Sequence, residues 1–404
     1  MAPEPGDATH ALQSAIDACP AGSAVRLAAA EGAARFVSGP LVMKSGVTLW
    51  LDRDVVLAAS ADPRAYDSGT GRCGTIDDTG KGCRPFLLFR QTKGGGIVGD
   101  GVIDGQGGAS MRGGTESWWQ LARRAQVQGG HQNAPRLIQL TEARDITFYR
   151  VTLRNSPNFH VALTNVQGAT FWSVRIDAPA NARNTDGIDP GGSQDITITH
   201  SFIRTGDDNI AIKAGRGSRS RYISVLHSHL YWGHGLSIGS ETIGGVSNVL
   251  VRDMTLDGTT SGLRIKSDAP RGGIVQQVRF DDVCLRGNRA PIDFDTHYDA
   301  GAAGNAIPVY RDILLHDVSG GDGDLIARGH DPARPLELTL DDVRFGPGAR
   351  WQVSNANVAV GPGGVTPALP GVNGPATTGP GPDCTRRWVP FPDDPDRPSP
   401  DDGD

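Results

Sequence analysis

The sequence predicts an all-β protein, a right-handed parallel β-helix whose first coil is covered by a helix. Three observations lead there. Glycine supplies 55 of 404 residues without a three-residue period, which excludes collagen and calls for a chain with many turns. One short pattern, apolar at positions 0, +2, +5 and +7, recurs along the chain. Its recurrences are spaced like the coils of a solenoid.

The pattern is seen at Ile146, Phe148, Val151 and Leu153, and at Ile223, Val225, Ser228 and Leu230. It returns at Val249, Val251, Met254 and Leu256, at Val278, Phe280, Val283 and Leu285, and at Leu338, Leu340, Val343 and Phe345. Weaker copies begin at Ala169, Ile196 and Ile313, and the starts from 146 to 278 are 23, 27, 27, 26 and 29 residues apart. Each copy reads as two short strands broken by a two-residue bend, then a polar, glycine-rich return. Such a unit cannot bury its own face, whereas stacked units form a continuous core. Leucine-rich repeats need a Leu and Asn spacing that is missing here, and propeller blades need about 40 or more residues each.

At the N-terminus, Asp7 is the expected N-cap of a helix over 8–18 that carries Ala11, Leu12, Ala15 and Ile16 on one face. Its expected place is over the open edge of the first coil. A single catalytic domain is expected over 1–360. Residues 361–381 are rich in Gly and Pro and 390–404 are acidic, so 361–404 is expected to be a covering strap that becomes partly disordered.

The formal charge of −6 is concentrated at one end, because residues 391–404 hold six Asp and one Arg. The body is close to neutral, and bulk charge suggests neither nucleic acid nor a membrane surface as partner. No apolar run approaches the roughly 18 residues of a membrane span. The first residues lack the basic and apolar regions of a signal peptide; a secreted protein whose signal has been removed is the expectation, and a monomer.

Five cysteines make an odd set. Cys73 and Cys83 flank a polar, glycine-rich stretch and are expected to close a surface loop as a disulfide, which favours an oxidising compartment. Their spacing is not a zinc pattern. Cys284 falls in a strand and is expected to be a small core residue, and the pairing of Cys19, Cys284 and Cys384 stays open.

Charged residues concentrate in consecutive coils: Asn184-Thr185-Asp186-Gly187-Ile188-Asp189, Gly206-Asp207-Asp208-Asn209, Gly233-His234-Gly235 and Arg264-Ile265-Lys266. Counted from their own coil starts, Asp207 and His234 occupy the same position, which puts them one rung apart, roughly 4.8 Å. Adjacent Asp207 and Asp208 both reach one site only if the chain bends there. Gly206, Gly233 and Gly235 are expected to let a ligand approach the backbone. Three clustered carboxylates resist simultaneous ionisation, so one stays protonated as a proton donor. Paired carboxylates across a scissile bond are the equipment of glycoside hydrolysis, and a wider separation, roughly 6.5 to 9.5 Å, admits water and inverts the anomeric carbon. Arg264 and Lys266 beside them suit an anionic sugar.

These four motifs, in this order and spacing, resemble those of glycoside hydrolase family 28, the polygalacturonases. Ile103-Asp104-Gly105-Gln106-Gly107, Ser156-Pro157-Asn158-Phe159-His160 and Ser237-Ile238-Gly239-Ser240-Glu241-Thr242 extend the resemblance, toward bacterial secreted endopolygalacturonases, across about residues 10 to 355. The resemblance implies inverting, endo-acting hydrolysis of homogalacturonan, an anionic pectic polysaccharide, without a metal or cofactor. It gives Asp207 the general-acid role, Asp186 and Asp208 the holding and deprotonation of water, and His234 support of the acid's protonation. Asn184, Arg264, Lys266 and Tyr298 become substrate-binding residues, with the two cations on the sugar carboxylate. The proton retained by the acids is expected on Asp207, although a cationic His234 would oppose it.

Two other classes compete. A pectate lyase on the same kind of solenoid would use Asp186, Asp189, Asp207 and Asp208 as calcium ligands, with Arg264 or Lys266 as base. Its product absorbs in the ultraviolet and its activity needs calcium, whereas a hydrolase releases reducing ends in the presence of chelator. A noncatalytic adhesin would need no ordered set of acids and cations.

Overall fold

The computed structural model describes residues 6–29, 35–299, 301–379 and 382–392. Its chain winds as a parallel β-helix, and the repeat read from the sequence sets the rungs. Ile146, Ala169, Ile196, Ile223, Val249, Val278, Ile313 and Leu338 lie opposite one another in register, one per coil. All eight are buried. Phe148 and Phe171, two residues further on, stack with ring centroids 4.7 Å apart, a contact worth about 0.5–1.5 kcal/mol beyond the burial of its area.

The bend has one cause repeated. The residue at +4 of each copy is left-handed: Arg150, Ser173, His200, His227, Asp253, Asp282, Asp317 and Asp342, with φ between 45° and 65°. Four of them are Asp, a residue type that tolerates this region better than most. In earlier coils the bend divides two short strands, Arg144–Tyr149 and Thr152–Arg154. From the coil at 220 onward the two merge into single strands, Ser220–Tyr231, Val246–Asp257, Ile274–Arg286 and Val309–Gly320.

A second parallel sheet of eleven strands runs beside the first. Its strands include Val161–Thr164, Ile188–Gly191, Ile210–Ile212, Leu236–Gly239, Ser261–Lys266 and Ala290–Asp295. The charged motifs lie on these strands or in the turns that enter them.

The first coil is covered by the helix α1 (Thr9–Ala18), which buries Leu12 and Ile16 against strands Arg35–Ser38 and Leu41–Val42. The helix begins one residue later than expected. Ala8 occupies the N-cap position, because Asp7 is tied into the sheet by a bridge to Val37; its carboxylate still accepts the Thr9 N–H at 2.8 Å.

Cys73 and Cys83 form a disulfide, and Cys19 is free and buried. Cys284 is not a core residue: it is cross-linked to Cys384. The alternation of its strand explains this, since Val283 and Leu285 point inward and the residue between them faces out. Cys284 is buried because the C-terminal segment crosses it. The main sheet also runs past residue 360, where Val365–Thr366 pairs with Val343 and Arg344. Residues 382–392 then return along the outside. Arg387 pairs with Asp253 and Asp282, Tyr231 donates its hydroxyl to the Val389 carbonyl at 3.0 Å, and the Phe391 ring lies 3.9 Å from the Arg204 guanidinium. The acidic residues expected in the tail from 393 on lie outside the described residues, as do the first five residues of the chain.

Candidate active site

Asp207 and Asp208 sit in the turn that enters strand Ile210–Ile212, not within a regular strand, and both face one cleft of about 470 Å³. Asn209 fixes that turn. Buried, it donates to the carbonyls of Ile203, Tyr231 and Trp232 at 2.9–3.1 Å and accepts the Gly235 N–H at 2.9 Å, which ties two coils together at the acids. His234 enters from the next rung, its main-chain N–H donating to the Asp207 carbonyl. Its Nδ1 lies 3.0 Å from Asp207 Oδ1. The glycines around these turns serve the packing of coil on coil. A Cβ at Gly206 would lie 2.1 Å from the Ala182 carbonyl oxygen, and one at Gly233 2.8 Å from that of Asp207.

The three carboxyls have separate environments. Asp208 accepts from Ser237 Oγ at 2.8 Å and from Lys266 Nζ at 2.7 Å. Asp207 accepts the Asp208 N–H at 2.9 Å and lies 3.4 Å from the Asn184 amide nitrogen. Burial alone would raise the Asp207 pKa; the hydrogen bond and charge of His234, with the charge of Lys266, outweigh it and bring it down to about 2. Asp186 moves the other way, well above its ordinary value, chiefly through burial and then through the charges of Asp189 and Asp207. Burial and neighbouring charge therefore favour the protonated form of Asp186, and His234 and Lys266 the ionised form of Asp207. Asp186 Oδ1 and Asp189 Oδ1 are both buried without a hydrogen-bond partner, and burial raises the Asp189 pKa as well.

Several residues not singled out as site residues set this arrangement. Lys213 lies 2.6 Å from Asp189 and 3.3 Å from Asp186, offsetting part of their mutual repulsion. His160 is fully buried, and burial lowers its pKa to about 4. Its neutral ring lies within 3.2 Å of the Thr185 and Asp186 carbonyl oxygens, fixing the backbone that carries Asp186. Helix α2 (Trp118–Gln128) adds a wall, with Arg123 and Gln126 on the cleft.

The cations expected on the substrate divide. Lys266 and Tyr298 line the cleft, but the Lys266 ammonium is buried and already bonded to Asp208. Arg264 does not line it directly. Its Nε is 2.9 Å from Asp293 and its guanidinium stands 5.3 Å from the Tyr298 ring. Among the described residues, Asp207, Asp208 and His234 bring ligand-type atoms within 4.8 Å of one another, with Ser237 and Lys266 each holding one oxygen of Asp208.

The family model for glycosyl hydrolases family 28 matches residues 40–361. The chain belongs to this family. An endo-polygalacturonase of Pectobacterium parmentieri is 44% identical over 353 residues, 87% of each chain. A polygalacturonase of Ralstonia nicotianae is 42% identical over 383 residues, covering 83% of this chain and 71% of the relative. The solved polygalacturonase from Erwinia carotovora ssp. carotovora superposes with a TM-score of 0.86 at 43% identity, over 89% of this chain and 95% of that one. The parallel β-helix and the glycosidase class expected from the sequence are those of family 28, and calcium-dependent lyase chemistry is not. Among the described residues no helix is long and apolar enough to cross a membrane.

Proposed function

We propose that this family 28 glycosidase hydrolyses α-1,4-galacturonosyl linkages within polygalacturonate, acting from the middle of the chain and inverting the anomeric carbon. The observation that carries the chemistry is the Asp207–His234 contact beside Asp208 and Lys266. Asp207 and His234 share the proton that the leaving oxygen takes up, passing it from Nδ1 to the carboxylate as substrate displaces water. Asp208, bonded to the Lys266 ammonium, and Asp186 together hold the attacking water, and the proton it gives up passes to this carboxylate pair. Asn184 orients Asp207 and reaches the sugar. Lys266, Arg264 and Tyr298 receive the unit on their side of the scissile bond. The endo-polygalacturonase relatives support an internal cut. The two disulfides support work outside the cell, and the site is complete within one chain, which supports a monomer.

The test is the reaction itself. Polygalacturonate with chelator present should lose viscosity well before reducing ends accumulate, without an ultraviolet-absorbing product. Proton NMR of the earliest products should show the β anomer. Initial α anomer would require a covalent intermediate and overturn the roles of Asp186 and Asp208.

A further inference from the structure

Next to the catalytic cleft, and sharing Phe159 and Asn184 with it, lies a second cavity of about 410 Å³. Its lining has two cationic side chains, Lys81 and Arg136, together with His131, and no acidic one. We propose that this cavity is a uronate-binding arm of the cleft, in which Lys81 and Arg136 hold carboxylates of galacturonate units on the side of the scissile bond away from Tyr298. The proposal rests on polygalacturonate being the substrate.

Arg136 carries most of the weight. The residue is exposed, and its part-buried guanidinium stands 5.3 Å from the Phe159 ring, the same spacing that Arg264 keeps from Tyr298 across the acids. Whereas Arg264 is paired with Asp293, Arg136 makes no ion pair among the described residues and donates only to the Gln139 amide oxygen. Asp186 and Asp189 act on it at longer range, but Lys213 is the cation that binds them. A planar fork of donors on a ring face, with no carboxylate of its own, suits the carboxylate of a stacked sugar acid.

Lys81 is also held in place. It lies inside the Cys73–Cys83 loop, between two pinned glycines. The Gly80 N–H donates to the Asp77 carboxylate at 2.8 Å and the Gly82 N–H to Asn133 Oδ1 at 2.6 Å. The loop is paired antiparallel to His131–Gln132 through Ile76–Asp77. The arm is connected to the acids as well: Gln132 donates to Asn184 Oδ1 at 3.0 Å, and Asn184 faces Asp207. A unit seated in the arm is therefore aligned with the group that meets the leaving oxygen.

The experiment compares wild type with Lys81→Ala, Arg136→Gln, Arg136→Lys and the double variant K81A/R136Q on polygalacturonates of rising methyl esterification. On the unesterified polymer the double variant should raise KM roughly tenfold or more, the loss of one or two charge-assisted hydrogen bonds, with kcat within about twofold. Arg136→Lys should recover part of the loss. The KM ratio of variant to wild type should fall as esterification rises, since methyl esters remove the charge these residues read. A wild-type KM in the double variant, or a ratio independent of esterification, would overturn the arm while leaving the polygalacturonase reading intact. Wild type inactive on polygalacturonate would overturn both. Lys81 is on an exposed loop, so K81A alone carries the same test should Arg136→Gln fold poorly.

Discussion

His234 is attached to Asp207 at two points: its main-chain N–H donates to the Asp207 carbonyl at 2.8 Å, and its Nδ1 lies 3.0 Å from the Asp207 carboxylate. The rung bond sets the distance at which the side chains meet. The pair then titrates as a unit, with the Asp207 carboxyl brought down to about 2, against its burial, by the His234 hydrogen bond and charge and by the charge of Lys266. Removing the ring takes away the bond and charge that depress Asp207, so its own pKa rises. It also removes the imidazole, the second site on which the shared proton can rest. His234→Ala should therefore lower kcat and move the alkaline limb of kcat/KM toward lower pH. An alkaline limb unchanged in this variant would show that the proton is not shared.

Asp186→Asn, Asp207→Asn and Asp208→Asn should each lower turnover by roughly 10²–10⁴-fold while leaving the fold intact. Asp186→Asn should also be more resistant to unfolding than wild type. The sign follows from its raised pKa. Above the ordinary value of 3.8 the unfolded chain releases this proton while the folded chain retains it, so stability falls as pH rises. Asn carries no such penalty. Unfolding temperatures should separate above about pH 4 and converge below it; a variant less stable than wild type at pH 7 would contradict the raised pKa of buried Asp186.

Lys266 and Arg264 should fail differently. Lys266→Ala strips the counter-charge from buried Asp208, 2.7 Å away, and should lower kcat as well as raise KM. Arg264→Ala loosens Tyr298 and the sugar carboxylate, and should act mainly on KM. Steady-state kinetics on polygalacturonate separate the two; kcat intact in Lys266→Ala would remove Lys266 from the catalytic charge balance.

An unreduced digest analysed by mass spectrometry should contain the peptides joined at Cys73–Cys83 and Cys284–Cys384, with Cys19 as a free thiol. The second cross-link closes a loop of sequence separation 100, and chain entropy assigns such a loop about 4.7 kcal/mol. Cys384→Ser should lower the unfolding midpoint and leave kcat/KM near wild type, since neither sulfur is on the cleft.

The rungs were legible because inward positions repeat in every coil: even the weak starts at Ala169, Ile196 and Ile313 fall into register with the strong ones. Asp207 and His234 were placed one rung apart by the same count. Other features were hidden by the kind of signal they leave. Lys213 and His160 act through distant acids and carbonyls, and no local pattern marks such partners. The raised pKa of Asp186 depends chiefly on burial, which spacing does not report. Helix α2 did leave a signal, in Ser117 and Gln120 as a capping box ahead of Trp118, Leu121, Ala122 and Ala125, but a search tuned to coil periodicity passes over it. Cys284 was misread although the pattern already held the answer, since Val283 and Leu285 claim the inside.

A stack of coils is a one-dimensional array, and such arrays unzip from their ends. Here the last described residues touch the coils in descending order, at Cys284, Asp253, Tyr231 and Arg204. The chain is hemmed back over its own C-terminal half, so the final coil cannot peel away until that seam opens. The seam ends at Arg204, three residues before the first of the paired acids. Fraying from the C-terminal end must therefore undo cross-link, ion pairs and ring contacts together before it reaches the coils that hold Asp207 and His234, and proteolytic nicking or hydrogen exchange should find those coils among the last to open.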